Sequence, residues 1–303
     1  MPAIDIDTIC KSYGGVPAIE NISFSVDKGE LFGLIGPDGA GKTTLFKILV
    51  TLLLPSAGKA RVQGYDVVDD FLSIRQIIGY MPGKFSLYQD LSIEENLEFF
   101  ATVFKTTVKE NYDMIRDIYV QIEPFKKRRA GQLSGGMKQK LALCCALIHK
   151  PQVLFLDEPT TGVDAVSRKE FWDMLQTLKA QGITILVSTA YMDEAALCDR
   201  IALIQHGKIL SVNTNEGIIA GYKKPLYAVK SGDTYRLLND LRSLAATESC
   251  YPFGEYVHWT AKNEETGKPG LETYLAQCSH RDVEVKRISP GIEDCFMDLM
   301  RKP

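Results

Sequence analysis

The chain has no long hydrophobic run. Its longest unbroken apolar stretch is LALCCALI at 141–148, far short of the roughly 18–20 residues that span a bilayer, and no N-terminal segment reads as a signal peptide. Such a chain is expected not to cross a membrane by itself. It also has no CxxC pair. The seven cysteines stand at 10, 144, 145, 198, 250, 278 and 295, an odd, scattered set that reads as reduced thiols rather than a zinc site or a disulfide framework. Basic excess is missing too, with 35 Lys and Arg against 38 Asp and Glu and a formal charge of −3 over 303 residues. Nucleic acid is therefore not expected as a partner. The run KKRR at 126–129 is short enough to read as a solvated loop. Internal repeats and low-complexity tracts are absent.

What is present is an ordinary globular composition, 45% hydrophobic and 24% charged, on a chain long enough for one large core or two smaller ones. The first 35 residues alternate like short strands separated by polar turns. TTLFKILVTLLL then reads as a helix and PSAGKARVQG as a turn and hairpin. Residues from about 84 to 150 are mostly helical in pattern, with Ser92 and Glu95 spaced as a capping box. VLFLD (153–157) and ITILVST are continuous apolar strands on either side of the amphipathic segment SRKEFWDMLQTLKAQG. That alternation predicts a parallel sheet covered on both faces. After about residue 220 the pattern changes to strand-like KPLYAVK, EYVHWTA and DVEVKRIS and helix-like DTYRLLNDLRSL, LETYLAQC and IEDCFMDLM. A separate small α/β domain is expected over 221–303.

The chemistry starts at GPDGAGKTT (36–44). It fits G-x4-G-K-[ST] between a predicted strand and a predicted helix, the context a phosphate-binding loop requires. In the loop Gly36, Pro37, Asp38, Gly39, Ala40 and Gly41, the glycines at 36, 39 and 41 would let backbone N–H groups turn inward around phosphate oxygens, and the helix N-terminus adds its dipole. Lys42 would reach the β- and γ-phosphates, Thr43 would ligate Mg²⁺, and Thr44 belongs to the same nucleotide-binding set. A second element is VLFLDEP. Asp157 ends the buried strand, where it can hold Mg²⁺ through water, and Glu158 is placed to orient and deprotonate an attacking water. The third is LSGGMKQK (133–140), in which Ser134, Gly135 and Gly136 open a helix whose free N–H groups can bind an anion.

With these three elements in this order, residues 1 to about 220 resemble the ATP-binding cassette family. The resemblance implies a P-loop NTPase (RecA-like) core, an N-terminal antiparallel β subdomain and a helical subdomain at about 84–150. It implies that the LSGG segment meets the γ-phosphate of ATP held by a second cassette, so that ATP joins two copies or homologues. It also implies that Tyr13 stacks on adenine and that Asp164, in TGVD, lies in the loop that communicates across the dimer. The GPDGAGKTT loop, YMP at 80–82, the length and the small C-terminal domain are most similar to ATPase subunits of type-two exporters, including drug-efflux systems. Other exporter branches, for lipid, polysaccharide or sodium, are the alternative. On this resemblance the partners are transmembrane permease subunits and a second cassette, in a homodimer or heterodimer, at the cytoplasmic face of the membrane. The face including Phe85, Leu87 and Tyr88 is expected to meet a cytoplasmic helix of the membrane partner.

Two positions depart from the family pattern. A glutamine that contacts Mg²⁺ and the attacking water is replaced by Gly83, and a histidine that contacts the γ-phosphate is replaced by Ala190. Ser188, Thr189, Tyr191 and Gln89 are the polar neighbours available as substitutes. The second reading is therefore a slowly hydrolysing cassette acting as a regulatory or structural half of a heterodimer.

Overall fold

The computed structural model describes residues 1–262 and 267–301. Alternating burial marks β1 (Ile4–Tyr13) and β2 (Val16–Val26), joined through Gly14 and Gly15. β3 (Leu31–Ile35) is buried at every position, as a strand covered on both faces must be. It is followed by α1 (Lys42–Leu49), the hairpin of β4 (Ala57–Val62) and β5 (Tyr65–Asp66), α2 (Phe71–Ile77) and β6 (Ile78–Met81). Three helices then form the insert: α3 (Ile93–Val103), α4 (Tyr112–Tyr119) and α5 (Gly135–Leu147). α3 starts on the capping box of Ser92 and Glu95. β7 (Val153–Asp157), α6 (Ala165–Ala180) and β8 (Thr184–Thr189) restore the strand-helix-strand pattern, and β9 (Arg200–Gln205) with β10 (Lys208–Asn213) makes a hairpin. The remainder is α7 (Asn215–Gly221), β11 (Leu226–Lys230), α8 (Thr234–Ser243), β12 (Thr247–Phe253), β13 (Tyr256–Ala261), α9 (Gly267–Gln277), β14 (Glu284–Arg287) and α10 (Ile292–Leu299).

The chain divides into two compact units, Met1–Asn215 and Glu216–Pro303. In the first, an antiparallel sheet in the order β2-β1-β4-β5 lies beside a six-stranded sheet in the order β10-β9-β3-β8-β7-β6. From β9 to β6 the neighbours in the larger sheet are parallel. One apolar core joins the two sheets: Ile4, Ile6 and Phe24 pack in the same cluster as Phe46 and Leu49 of α1 and Phe155 of β7. Phe24 stacks on Phe32 at 5.2 Å, and Phe46 meets Phe155 edge-on at 6.1 Å. This packing holds β3 and α1 rigidly on either side of the glycine-rich loop.

In the second unit the order β-α-β-β-α-β gives an antiparallel sheet, β12-β13-β11-β14, the ferredoxin-like arrangement. Its core contains Val229, Leu237, Leu241, Trp259 and Leu271. β12 was not among the expected strands, because Pro252 and the polar residues of TESCYPF mask an edge strand.

One local expectation is corrected. The helix expected over TTLFKILVTLLL ends at Leu49, and Thr51 adopts φ +64. Pro55 disfavours helix in the residue before it, and Leu52 and Leu54 are left exposed. The segment after Ala190 forms a 3₁₀ helix, Met192–Leu197. The seven cysteines are all free. Burial pushes the thiols of Cys144, Cys145 and Cys198 up, so they behave as small apolar residues. Among the described residues no helix is long and apolar enough to cross a membrane.

Candidate nucleotide-binding site

β3, β6, β7 and β8 run parallel, so their C-terminal ends open on one edge of the sheet, the edge where ligands bind in open α/β folds. That edge carries Gly36 after β3, Gly83 after β6, Glu158 after β7 and Ala190 after β8. The loop from Gly36 to Gly41 is forced into its path by its glycines. A Cβ on Gly36 would lie 2.2 Å from the Ile204 carbonyl, and Gly41 holds φ +104 where a Cβ would meet Ile19 at 2.6 Å. Pro37 accepts from the Ala40 N–H and closes the turn. Asp38 and Gly39 are exposed at its tip. Gly41 is the N-cap of α1 and supplies no side-chain cap, so the first N–H groups of Lys42, Thr43 and Thr44 remain available to an anion.

Lys42 is 3% exposed. Its ammonium donates to the Gly36 carbonyl at 2.7 Å and the Pro37 carbonyl at 2.9 Å, and lies 3.1 Å from Glu158 Oε1. Across the cradle Asp157 is buried, which raises its carboxyl pKa, while hydrogen bonds from Ser188 and Thr43 work in the opposite direction. Glu158 sits at φ +50, a conformation non-glycine residues adopt rarely and at functional sites when the surroundings enforce it. Here the enforcement comes from Ser188. Its carbonyl and its Oγ both accept from the Glu158 N–H, at 3.1 and 3.0 Å, and its hydroxyl donates to Asp157 Oδ1 at 2.7 Å. One fully buried serine thus fixes both acids.

Ser134 and Asp164 each cap a helix. Ser134 Oγ accepts from the Met137 N–H at the start of α5, and Asp164 Oδ1 accepts from the N–H groups of Val166 and Ser167 at the start of α6. Those hydrogen bonds, the Ser167 N–H foremost, hold the Asp164 carboxyl below its usual pKa. The two helix starts touch: a Cβ on Gly136 would lie 2.7 Å from Ser167 Oγ, and one on Gly135 3.8 Å from the Gly162 carbonyl. Tyr13 is half exposed at the end of β1, with Lys11 above its ring at 5.6 Å.

Residues 19–161 match the family model described as ABC transporter. The chain is 38% identical to the doxorubicin resistance ATP-binding protein DrrA of Mycobacterium tuberculosis, over 99% of this chain and 94% of that one. The chain belongs to the ABC transporter ATP-binding family. It is 40% identical to the probable multidrug ABC transporter ATP-binding protein YbhF of Escherichia coli, over 72% of this chain but 38% of the longer relative. It therefore spans well under half of that protein. Among solved structures it resembles an ATP-binding subunit of an ABC transporter, at 27% identity and a TM-score of 0.66 over 72% of this chain and 92% of that one. It also resembles a dimeric ATP-binding cassette in a post-hydrolysis state bound to ADP and Pi, at 25% identity and 0.63, over 70% and 98%.

Of the four polar residues near Gly83 and Ala190, three have side-chain contacts of their own. Ser188 holds the acids, and Thr189 Oγ accepts from the Tyr191 N–H. The Tyr191 ring lies 4.2 Å from the Arg168 guanidinium. Gln89 is exposed, and its main-chain carbonyl, not its side-chain amide, accepts from the Gly131 N–H. Gly83 borders the acids directly, since a Cβ there would lie 3.0 Å from the Asp157 carbonyl and 3.8 Å from Glu158 Cβ.

Sequence reading missed a brace behind the site. Buried Glu194 accepts from Thr160 Oγ at 2.8 Å and pairs with Arg168 Nε at 3.2 Å, and Arg168 also reaches Asp193 at 2.9 Å. The brace ties the segment after β8 to the loop carrying Asp164. Its members are far apart in sequence and match no motif, so only the topology brings them together. Glu194→Ala removes the buried partner of Arg168, which keeps Asp193 and some solvent. It is expected to destabilise the fold by about 2 kcal/mol, less than a fully buried pair would cost, read as a lower urea midpoint; an unchanged midpoint contradicts the brace.

Proposed function

We propose that the chain is the ATP-binding and ATP-hydrolysing subunit of a membrane exporter. It acts at the cytoplasmic face of the membrane with separate transmembrane permease subunits and a second cassette, identical or homologous. The observation that carries the reading is the buried Lys42 ammonium, held in a glycine-lined cradle within 3.1 Å of the Glu158 carboxylate. A lysine, an uncapped helix N-terminus and two acids at one sheet edge suit a polyphosphate better than any apolar ligand. The relatives' names support export.

In this reading Gly36 to Thr44 bind the phosphates, Lys42 neutralises the β- and γ-oxygens, and Tyr13 stacks on the base. Glu158 exchanges its contact with Lys42 for the attacking water, takes a proton from it at the carboxylate, and is held in line by Ser188. Ser134, Gly135, Gly136 and Asp164 face the nucleotide of the partner cassette. Among the described residues no group of three or more His, Cys, Asp or Glu side chains could hold a metal alone. The Thr43 hydroxyl and Asp157 do fit Mg²⁺, an ion that draws its remaining ligands from nucleotide phosphates and water. When bound, it would offset charge developing on the β- and γ-phosphates.

A mostly apolar groove of about 420 Å³ lies between β6 and the helical insert, lined by Met81, Leu87, Phe100, Val103, Phe104 and Ala146. Leu87 is buried in its wall, and Tyr88 is half exposed at 4.8 Å from Phe99. This face is the proposed dock for the membrane partner. Tyr88→Asp is expected to release the chain from membranes with ATP affinity unchanged; loss of both together would make Tyr88 a core residue only. The function itself is tested by purifying the tagged chain from membranes of the cells that make it. A multispanning protein is expected in stoichiometric yield, and a chain recovered alone under mild detergent contradicts the exporter reading.

A further inference from the structure

The nucleotide cradle has a wall that none of the motifs supplies. A cavity of about 340 Å³ is lined by Gly39, Lys42, Thr43 and Glu158 on the motif side and by Ala18 and His206 opposite. His206 and Gly207 are the two residues of the β9–β10 hairpin turn, between the paired residues Gln205 and Lys208, and both have positive φ, +47 and +75. That is the type I′ geometry, whose backbone requirement Asn or Gly meets best. The turn is fastened to the cradle. The Gly207 N–H donates to the Ala40 carbonyl at 3.0 Å, the Gly207 carbonyl accepts from the Glu20 N–H at 2.8 Å, and a Cβ on Gly207 would strike the Ala18 carbonyl at 2.6 Å. His206 is therefore an exposed imidazole on a backbone that cannot move independently of the phosphate loop. Its one side-chain hydrogen bond recorded among the described residues is to the neighbouring Gln205, so packing does not account for it.

We propose that His206 is a nucleotide-binding residue, donating a ring N–H to an oxygen at the α-phosphate and sugar end. This inference rests on the nucleotide reading of the cradle. Lys42 and Glu158 mark the end where the terminal phosphate reacts, whereas His206 stands beside Ala18, on the strand that follows Tyr13. The imidazole thus binds the portion common to ATP and ADP and takes no part in bond breaking.

The test is equilibrium binding of ATP and of ADP to the full chain and to His206→Gly, which suits the left-handed backbone and removes the ring. His206→Asn, which also suits that backbone, separates the ring from the turn. Both variants are expected to lose about tenfold in affinity, the lower range for a hydrogen bond to a charged group. The loss should be equal for ATP and ADP, with thermal unfolding unchanged. Unaltered affinity for both nucleotides overturns the inference and leaves the cradle reading intact. A loss confined to ATP also overturns it, by placing His206 at the terminal phosphate. Failure of the unsubstituted chain to bind either nucleotide overturns the cradle reading and this inference together.

Discussion

Purified Glu158→Gln protein is expected to bind ATP and hydrolyse it between a hundredfold and ten-thousandfold more slowly than the unsubstituted chain, the range for loss of a positioned general base. Gln keeps the shape and removes only the proton-accepting charge. The φ +50 backbone and both Ser188 contacts to residue 158 involve its main chain and survive the change. Lys42 loses its 3.1 Å partner and is freed for phosphate, so ATP affinity should hold or tighten. Unhydrolysed ATP then holds two cassettes together, and size-exclusion chromatography with Mg-ATP should show a dimer. A rate equal to that of the parent chain contradicts the role of Glu158. Elution as a monomer at every ATP concentration excludes the homodimer and directs the search to a second, homologous cassette.

The second large effect runs in the opposite direction. Hydrolysis needs preorganised polar groups aimed at the charge that develops on the γ-phosphate, and each one removed typically costs on the order of 10²–10³ in rate. Gly83 and Ala190 carry no polar side-chain atoms at these two places, while the Ser188 hydroxyl is committed to Asp157, Thr189 Oγ to the Tyr191 N–H and the Tyr191 ring to Arg168. The chain alone should be a slow ATPase. Ala190→His is expected to raise the turnover number about a hundredfold with little change in ATP affinity. Gly83→Gln should help less, because its Cβ meets the Asp157 carbonyl at 3.0 Å and the end of β6 must give by a few tenths of an ångström. The double variant should fall short of the product of the two, as groups in one site rarely act independently. Turnover and affinity measured for all four proteins test this. Fast turnover by the parent chain, unaltered by the double substitution, shows that other residues do the sensing.

The cradle was legible in the sequence because its chemistry is local. Nine consecutive residues carry the turn, the lysine and the helix start, and a buried strand delivers Asp157 and Glu158 to a sheet edge. The parallel sheet was legible for a similar reason, since VLFLD and ITILVST are apolar without alternation. What escaped is what the fold assembles from a distance. In the sequence Ser188 is one of four polar neighbours available as a substitute sensor, whereas the β7–β8 pairing makes it the clamp on both acids. Glu194 and Arg168 had no visible partner until the loop after Glu158 brought Thr160 beside them. His206 belongs to no motif, and only the contact of Gly207 with Ala40 places it in the cradle wall. The helix after Gly41 looks longer in the sequence than it is, because the leucines beyond Val50 are periodic while Thr51 and Pro55 break the backbone.

The central claim is that this cradle binds ATP through Lys42. Equilibrium titration with a fluorescent ATP analogue and Mg²⁺ tests it most directly, on the parent chain and on Lys42→Ala. Saturable binding is expected in the parent, with affinity lower by on the order of a hundredfold in the variant, the scale for truncating one partner of a buried charge contact. Equal affinity in the two proteins contradicts the assignment of the site.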